Sequence, residues 1–177
     1  MFSTKKAEYI SMIIEKIYFK SLTIKKDWKM SVIVNKYNDL VRSLQGLRGL
    51  PLLFLRLILA YGFYTPAINK LRDVSAIGDW FASMDYPLPY LNAYLATATE
   101  SLGVILLILG LGTRIISIPL MIVMIVAIFT VHIGNGFTAG NNGFEIPLYY
   151  FLMLFTLMIL GPGRISLDHL LFGRKRK

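Results

Sequence analysis

Long stretches without charged residues limit this chain to very few folds. Residues 115–131 and 146–163 contain no Asp, Glu, Lys, Arg or His. Residues 50–69 and 86–113 contain one charged residue each, Arg56 and Glu100 respectively. Because a membrane-crossing helix needs about 20 mainly apolar residues, the sequence predicts four membrane spans. They lie at about residues 50–71, 88–111, 115–134 and 144–162.

The composition favours a membrane protein and excludes several other classes. Hydrophobic residues make up 55% of the chain and charged residues 16%, whereas soluble domains average about 45–50% and about 25%. A soluble helical bundle would still need polar helix faces at a period of 3.6 residues, and the third and fourth stretches have none. We therefore predict an all-α, polytopic four-transmembrane-helix bundle with N-terminal amphipathic cytoplasmic helices. The chain has no cysteine, which excludes disulfides, thiolate metal sites and cysteine nucleophiles.

The positions of the basic residues predict the domains and their orientation. Ten of the 19 Lys and Arg residues precede Gly49, and the last four residues are all basic. Loops rich in Lys and Arg stay in the cytoplasm, and four spans place both termini on one side. The prediction is a multi-pass inner-membrane protein with both termini cytoplasmic. Its parts are a basic interfacial segment (1–49), the membrane domain (50–163) and a basic tail (164–177).

Two amphipathic stripes precede the first span. The first has four isoleucines at helical spacing among lysines, and the second has six apolar residues: Ile10, Ile13, Ile14 and Ile17, then Ile33, Tyr37, Leu40, Val41, Leu44 and Leu47. Basic amphipathic helices bind the headgroup region of anionic leaflets, so both stripes are predicted to lie on the cytoplasmic membrane surface. The alternative for the first stripe is that translation starts at Met30.

Glu100 is the ionisable residue that a purely structural role explains least well. It lies 13 residues after Pro87 and 14 before Arg114, about 20 Å from either end of its span. A carboxylate at that depth must be protonated, paired or in contact with water in a cavity. Thr97 and Ser101 share its helix face and are candidate ligand-binding residues. The structural alternative is a protonated Glu100 that makes one interhelical hydrogen bond.

Arg56 lies seven residues after Gly49, about 10 Å into the first span. Its side chain leans toward the N-terminus of its helix. It therefore either reaches the inner headgroups or meets the polar head of a ligand. Pairing with Glu100 would require tilted helices or a bridging water, because the two side chains lean toward opposite leaflets.

His132 and Glu145 flank the loop between the third and fourth spans, with twelve residues between them. An imidazole titrates near neutral pH, so the two side chains are predicted to exchange protons between Glu100 and the outer surface. Glu100, His132 and Glu145 together form the predicted proton relay. The alternatives are an interfacial imidazole and a carboxylate that stabilises a helix N-terminus.

The sequence argues against most cofactors. A single His with one or two carboxylates is a thin set of metal ligands, so no metal is expected. The other histidine, His169, lies in the tail, which excludes a bis-histidine haem inside the membrane of a monomer. No Gly-rich phosphate-binding motif is present, and the basic segments carry no aromatic platform for nucleic acid. Haem, nucleotide and nucleic acid are therefore not expected either.

Several stretches resemble the DoxX family of small four-helix membrane proteins. They are LRLILAYGFYTPAINKL in the first span, ATATESLGVILLILGLGTR in the second, IVMIVAIFTVHIGNGF at the end of the third, and NNGFEIPLYYFLM in the fourth. The resemblance covers about residues 32–170. Where many members have Tyr-His-Gly near the outer end of the first span, this chain has Thr65-Pro66-Ala67.

The resemblance implies a connection with membrane redox chemistry. Members are linked to quinone-reducing and quinol-oxidising systems and to complexes that handle thiols and oxidative stress. On the matching positions, it implies Arg56, Glu100, His132 and Glu145 as site residues. The expected function is an accessory membrane subunit of a quinone- or thiol-linked redox system, with a membrane quinone as the candidate cofactor. If the chain is itself enzymatic, it is an oxidoreductase subunit.

Two other functions remain open at this point. One is a small transporter or export partner, although no Gly or Pro interrupts the middle of the second or fourth span. The other is a scaffold without chemistry. The expected partners are the lipid bilayer and a membrane or soluble redox protein, and a homo-oligomer is compatible with the sequence.

Overall fold

A computed structural model describes residues 12, 15–16, 18, 20, 31 and 33–173, and every regular element in these ranges is helical. The chain divides into two units, residues 1–47 and residues 48–177. In the first unit, residues 33–46 form a helix, α1. The apolar side chains of the second stripe are exposed on it, apart from the half-buried Val41. The isoleucines of the first stripe, Met30 and the last four residues lie outside the described residues.

The second unit contains the predicted membrane helices and two helices that were not predicted. Its α-helices are α2 (Gly49–Arg72), α3 (Val74–Ser83), α4 (Pro89–Leu109), α5 (Thr113–Ala127), α6 (Glu145–Leu160) and α7 (Leu167–Phe172). A π-helical turn, Ile128–His132, and a 3-10 turn, Ile133–Asn135, continue α5. A second 3-10 turn, Ala139–Asn141, lies in the loop before α6. The predicted boundaries at 50–71 and 88–111 agree with α2 and α4 to within two residues.

Three of these helices are long and apolar enough to cross a membrane. They are Gly49–Arg72, Pro89–Leu109 and the continuous run Thr113–Asn135. The helix at the fourth predicted span is shorter than predicted. Helix α6 contains 16 residues, which is about 24 Å at 1.5 Å per residue. It ends at Gly161, whose φ of +82° is a backbone conformation that favours glycine.

The helices of the second unit pack as two pairs. Helix α2 packs mainly on α4, α5 packs mainly on α6, and lighter contacts join α4 to α5 and α2 to α6. The apolar core between them has members from all four helices: Leu59, Ala60, Phe63, Ala67, Val104, Leu107, Ile116, Leu120, Met124, Leu154 and Leu157. Gly103 lets the two pairs approach, because a Cβ atom there would lie 2.9 Å from the Leu120 side chain.

Helix α3 packs on α4 and begins immediately after α2. Asp73 caps it, since one carboxylate oxygen accepts hydrogen bonds from Ser75 Oγ at 2.6 Å and from the Ala76 N–H at 2.9 Å. These bonds, with Ser75 contributing most, hold the pKa of Asp73 below its ordinary value. The cap therefore stabilises the fold above the unfolded-state pKa and is lost as the pH falls through the folded-state pKa.

The C-terminal segment closes one end of the unit, which we call the Asp168 end. The Asp168 carboxylate accepts hydrogen bonds from the N–H groups of Gly112 at 2.8 Å and Thr113 at 3.3 Å. Its own N–H donates to the Gly110 carbonyl at 3.1 Å. Both glycines have positive φ, +66° and +56°, which keeps the α4–α5 turn tight. The opposite end contains the π-helical turn and the following loop, and we call it the His132 end.

Replacing Asp168 with Asn tests this closure. The substitution removes the charge and one of the two acceptors that hold the α4–α5 turn. We expect a loss of about 1–3 kcal/mol in the free energy of unfolding, as for hydrogen bonds to a charged group. Thermal unfolding of the detergent-purified protein measures it. Asp85→Asn, an exposed aspartate in the α3–α4 connection, is the control, and equal stability of the two variants would contradict the role given to Asp168.

Candidate functional site

Arg56 is buried at the Asp168 end and does not meet Glu100. Its side chain is 1% exposed, and Nη2 donates a hydrogen bond to the Ile165 carbonyl. The guanidinium packs so closely on Gly110 that any side chain there would collide with it. The carboxylate of Asp168 is near enough to act on it electrostatically. Arg56 thus leans toward the N-terminus of its helix as expected. Its guanidinium is bound there by the C-terminal segment of the chain, through the Ile165 carbonyl.

Glu100 forms an ion pair with Lys70, a residue that the sequence analysis did not select. Lys70 Nζ lies against Glu100 Oε1, and the two side chains are 19% and 2% exposed. The second oxygen, Oε2, is buried and has no hydrogen-bond partner in the described part of the chain. An ion pair in a poorly solvated place needs its remaining lone pairs satisfied to be stable, and the described residues leave this buried oxygen unsatisfied.

The geometry of α2 and α4 explains why this pair forms. Arg56 meets Gly110 and Lys70 meets Glu100, which shows that the two helices are antiparallel. Side chains tilt toward the N-terminus of their own helix. Lys70, near the C-terminus of α2, therefore leans back into the unit, and Glu100 leans toward it from α4.

The pair lies in the wall of a cavity of about 730 Å³ that extends to the His132 end. Its polar lining residues include Lys70, Glu100, His132 and Tyr150. The rest of the lining is mainly apolar, with contributions from α2, α3, α4, α5, the loop after the π-helical turn, and α6. Glu100 and His132 therefore lie in the wall of the same cavity.

Aromatic side chains line much of this cavity. Trp80 and Phe81 of α3 have ring centroids 5.4 Å apart, and the same distance separates Phe81 from Tyr86. On the other side, Tyr150 packs over Gly62 so tightly that a Cβ atom at position 62 would overlap its hydroxyl. Aromatic walls with a few polar groups are typical of sites for flat organic ligands.

His132 is a lining residue at the end of the π-helical turn. Its Nδ1 lies 2.8 Å from the Asn142 carbonyl, so this nitrogen is the donor and the ring is tied to the loop before α6. When the imidazole is neutral, Nε2 is then the acceptor nitrogen. Single π-helical turns are frequent at functional sites, and this one places three consecutive residues, 130–132, in the cavity wall.

Glu145 has partners other than His132. Its Oε2 accepts a hydrogen bond from the Ala139 N–H at 2.9 Å, and its Oε1 accepts one from Tyr149 Oη at 3.0 Å. The described cavity wall does not include it. The carboxylate holds the loop of residues 136–144 over the His132 end of α6.

Thr97 and Ser101, the two hydroxyl residues that share the helix face of Glu100, differ in their hydrogen bonding. Thr97 Oγ1 donates to the Ala93 carbonyl of its own helix at 2.7 Å. Ser101 Oγ is buried and lacks a partner among the described residues. The described lining contains neither residue, whereas Ala96 and Thr99, on the other side of Glu100, do line the cavity.

Comparison with known proteins identifies relatives in bacteria. The DoxX family model matches residues 51–133. A Haemophilus influenzae protein without a functional name is 32% identical over 138 residues, which is 73% of this chain and 89% of the relative. A second one is 34% identical over 139 residues, 76% of this chain and 100% of the relative. A Bacillus subtilis protein named "Putative oxidoreductase CatD" is 31% identical over 126 residues, 70% and 89% of the two chains. No solved structure matches the chain significantly.

Replacing Lys70 with Met tests whether the ion pair is formed in solution. The substitution leaves a buried carboxylate without its counter-ion, and we expect it to cost about 3 kcal/mol of unfolding free energy. The double variant Lys70→Met/Glu100→Gln removes both charges and should lose much less stability than Lys70→Met alone. Unfolding of each variant in detergent measures the coupling. Arg72→Met, which removes an exposed charge two residues away, is the control, and additive effects of the two site substitutions would contradict the pair.

Proposed function

The chain belongs to the DoxX family of membrane proteins, and we propose that it is an accessory membrane subunit of a quinone- or thiol-linked redox system in which Glu100 takes up and releases protons. The observation that carries the proposal is the buried Glu100–Lys70 pair in the wall of a cavity that reaches His132. The name of the Bacillus subtilis relative, a putative oxidoreductase, supports a redox role for this chain.

The proposed proton path uses three side chains of this chain. Lys70 holds Oε1 of Glu100, so a proton arrives at and leaves from Oε2. His132 then exchanges that proton with the surroundings of the loop, since an imidazole can carry a proton near neutral pH. Glu145 is bonded to Ala139 and Tyr149, and we assign it the task of holding the loop at this exit.

A membrane quinone fits the cavity by size and lining. Its volume of about 730 Å³ lies within the range of about 300–1,000 Å³ for small-molecule sites. The aromatic residues of α3 and Tyr150 would hold the ring, and Glu100 and Lys70 would meet its polar edge. Such a carrier would supply the electron chemistry, because the chain has no cysteine and its described residues include no group of three metal-ligating side chains. Electrons would then pass to a partner protein.

The proposed topology has four spans, with α6 as the fourth. Its 16 residues span a bilayer when the flanking Phe144 and Gly161–Gly163 segments are included or the bilayer thins locally. The Asp168 end carries Arg114 and Arg164, and the basic residues 174–177 follow it in the sequence, so we place this end in the cytoplasm. The His132 end then faces the outside of the inner membrane.

Single cysteines test this topology, since the chain has none of its own. Thr138→Cys lies in the loop before α6 and Leu170→Cys lies in α7, and both positions are exposed. In intact spheroplasts, a membrane-impermeant maleimide should label Thr138→Cys only. Leu170→Cys should react after the membrane is opened. Labelling of both variants in intact spheroplasts would show that α6 does not cross the membrane.

Replacing Glu100 with Gln tests the proton function. The variant keeps the shape of the side chain but cannot ionise, so we expect it to abolish protection of the host cell against thiol oxidants at equal membrane abundance. Infrared difference spectra of the purified protein in lipid nanodiscs should show a carboxyl band that changes with pH and disappears in this variant.

Asp85→Asn, which changes an exposed carboxylate of the α3–α4 connection, is the matched control and should retain both properties. A Glu100→Gln variant that protects cells as well as the native protein and shows an unchanged infrared spectrum would contradict the proton function. Ligand uptake into vesicles that depends on the protein, with Glu100→Gln fully active, would favour the transporter function instead.

A further inference from the structure

The outer side of α2 presents hydroxyl groups at the middle of a membrane span. Helix α2 packs on α4 and α6, and its opposite side is exposed along Phe54, Ile58, Tyr61 and Thr65. The Tyr61 side chain is 81% exposed. It lies twelve residues after the start of α2 and eleven before its end, about 17 Å from either end at 1.5 Å per residue. Tyr61 is therefore near the centre of the span.

This position does not suit a tyrosine that faces lipid. Tyrosine is enriched at the two membrane–water interfaces, where its ring is in an apolar phase and its hydroxyl is hydrated. Near the centre of the bilayer no water reaches the hydroxyl, and a polar group without a hydrogen-bond partner is costly there. Among the described residues, the Tyr61 hydroxyl has no such partner. The partner therefore has to come from outside this chain.

Thr65 differs from other exposed threonines of the apolar helices in the same way. Thr130 and Thr156 donate to the carbonyl four residues earlier in their own helices, at 2.8 Å and 2.9 Å. Thr65 stands four residues after Tyr61, but no corresponding bond joins the Thr65 hydroxyl to the Tyr61 carbonyl. Two neighbouring hydroxyls on the outer side of α2 are thus available to another helix.

The exposed residues follow the spacing of a packed helix–helix contact. Phe54, Ile58, Tyr61 and Thr65 are separated by four, three and four residues, and we call these four residues the Tyr61 seam. Alternating intervals of three and four keep one face against a partner helix in left-handed packing, the commonest packing in membrane bundles. Polar residues within such a seam fix its register.

The chemistry of the Tyr61 seam fits a second copy of this chain. Two copies in one membrane have the same orientation, so their α2 helices are parallel and are related by a two-fold axis along the membrane normal. Such an axis brings the same surface of both copies together. Because a hydroxyl both donates and accepts hydrogen bonds, Tyr61 and Thr65 can bond to the same residues of the second copy. The seam contains no charged residue, so no like charges meet.

We propose that the protein forms a parallel homodimer in the membrane through the Tyr61 seam, with the Tyr61 and Thr65 hydroxyls of the two copies bonded to each other. This inference concerns the outer side of α2 and does not depend on the proposed redox function. The described lining of the cavity includes none of the four seam residues, so the dimer leaves the cavity of each copy uncovered.

The first test is disulfide cross-linking in membranes, since the chain has no cysteine of its own. Ile58→Cys places a thiol in the seam, and Leu102→Cys places one on α4 outside it. The two native side chains are 53% and 55% exposed. Oxidation with copper phenanthroline should join two copies of Ile58→Cys into a product of twice the mass and should leave Leu102→Cys monomeric.

Two results of this experiment would overturn the inference. One is the absence of the double-mass product from Ile58→Cys, or its equal formation by Leu102→Cys. The other is a product of Ile58→Cys with a protein of different mass, because it would show that another membrane protein covers the seam.

The second test removes the hydroxyls and keeps the shapes of the side chains. Energy transfer between copies labelled at Leu170→Cys in lipid vesicles gives the dissociation constant of the dimer. Tyr61→Phe/Thr65→Val should raise it at least about threefold, the size of one interhelical hydrogen bond inside a membrane. Tyr94→Phe/Thr156→Val changes an exposed tyrosine and threonine outside the seam and should leave it unchanged. Equal dissociation constants for the two double variants would contradict the proposed contact.

Discussion

The buried ion pair between Lys70 and Glu100 is the interaction on which the site depends. An isolated carboxylate in the middle of a membrane helix is costly, and its counter-ion comes from one direction only, the C-terminal part of α2. That requirement sets the register of α2 against α4. Oε2 stays buried without a partner among the described residues, and Glu100 and Lys70 both line the cavity.

Charge and hydropathy patterns predicted the long helices well and the short ones not at all. Helices α2 and α4 were found because a span needs a long uncharged run. Helix α3 was missed because its ten residues are too few for a membrane span, although Asp73 and Ser75 at its start are a capping signal. The fourth span was predicted too long because Phe144, Gly161 and Pro162, which flank α6, carry no charge, while the positive φ of Asn142 and Gly161 limits where regular helix can form.

Of the two residues that form the buried ion pair, Glu100 could be selected from the sequence and Lys70 could not. Glu100 was selected by its depth, which follows from counting residues. Lys70 was not selected because it lies at the end of the predicted first span, yet the tilt rule that separated Arg56 from Glu100 also directs Lys70 toward Glu100. The expected proximity of His132 and Glu145 was inferred from chain separation. The loop between them also has backbone N–H groups that need acceptors, which chain separation does not reveal. The Ala139 N–H donates its hydrogen bond to the Glu145 carboxylate.

The two ends of the second unit are held together by different contacts. At the Asp168 end, Arg56, Gly110 and Asp168 join α2, the α4–α5 turn and the C-terminal segment through buried or charged contacts. Because α4 and α5 are joined by a tight turn there, their separation can increase only toward the His132 end. The cavity lies on that side, and the π-helical turn of α5 lies beside it. Lys70 and Glu100 both belong to the α2–α4 pair, so a change in the lighter α4–α5 contacts on that side would leave the ion pair intact.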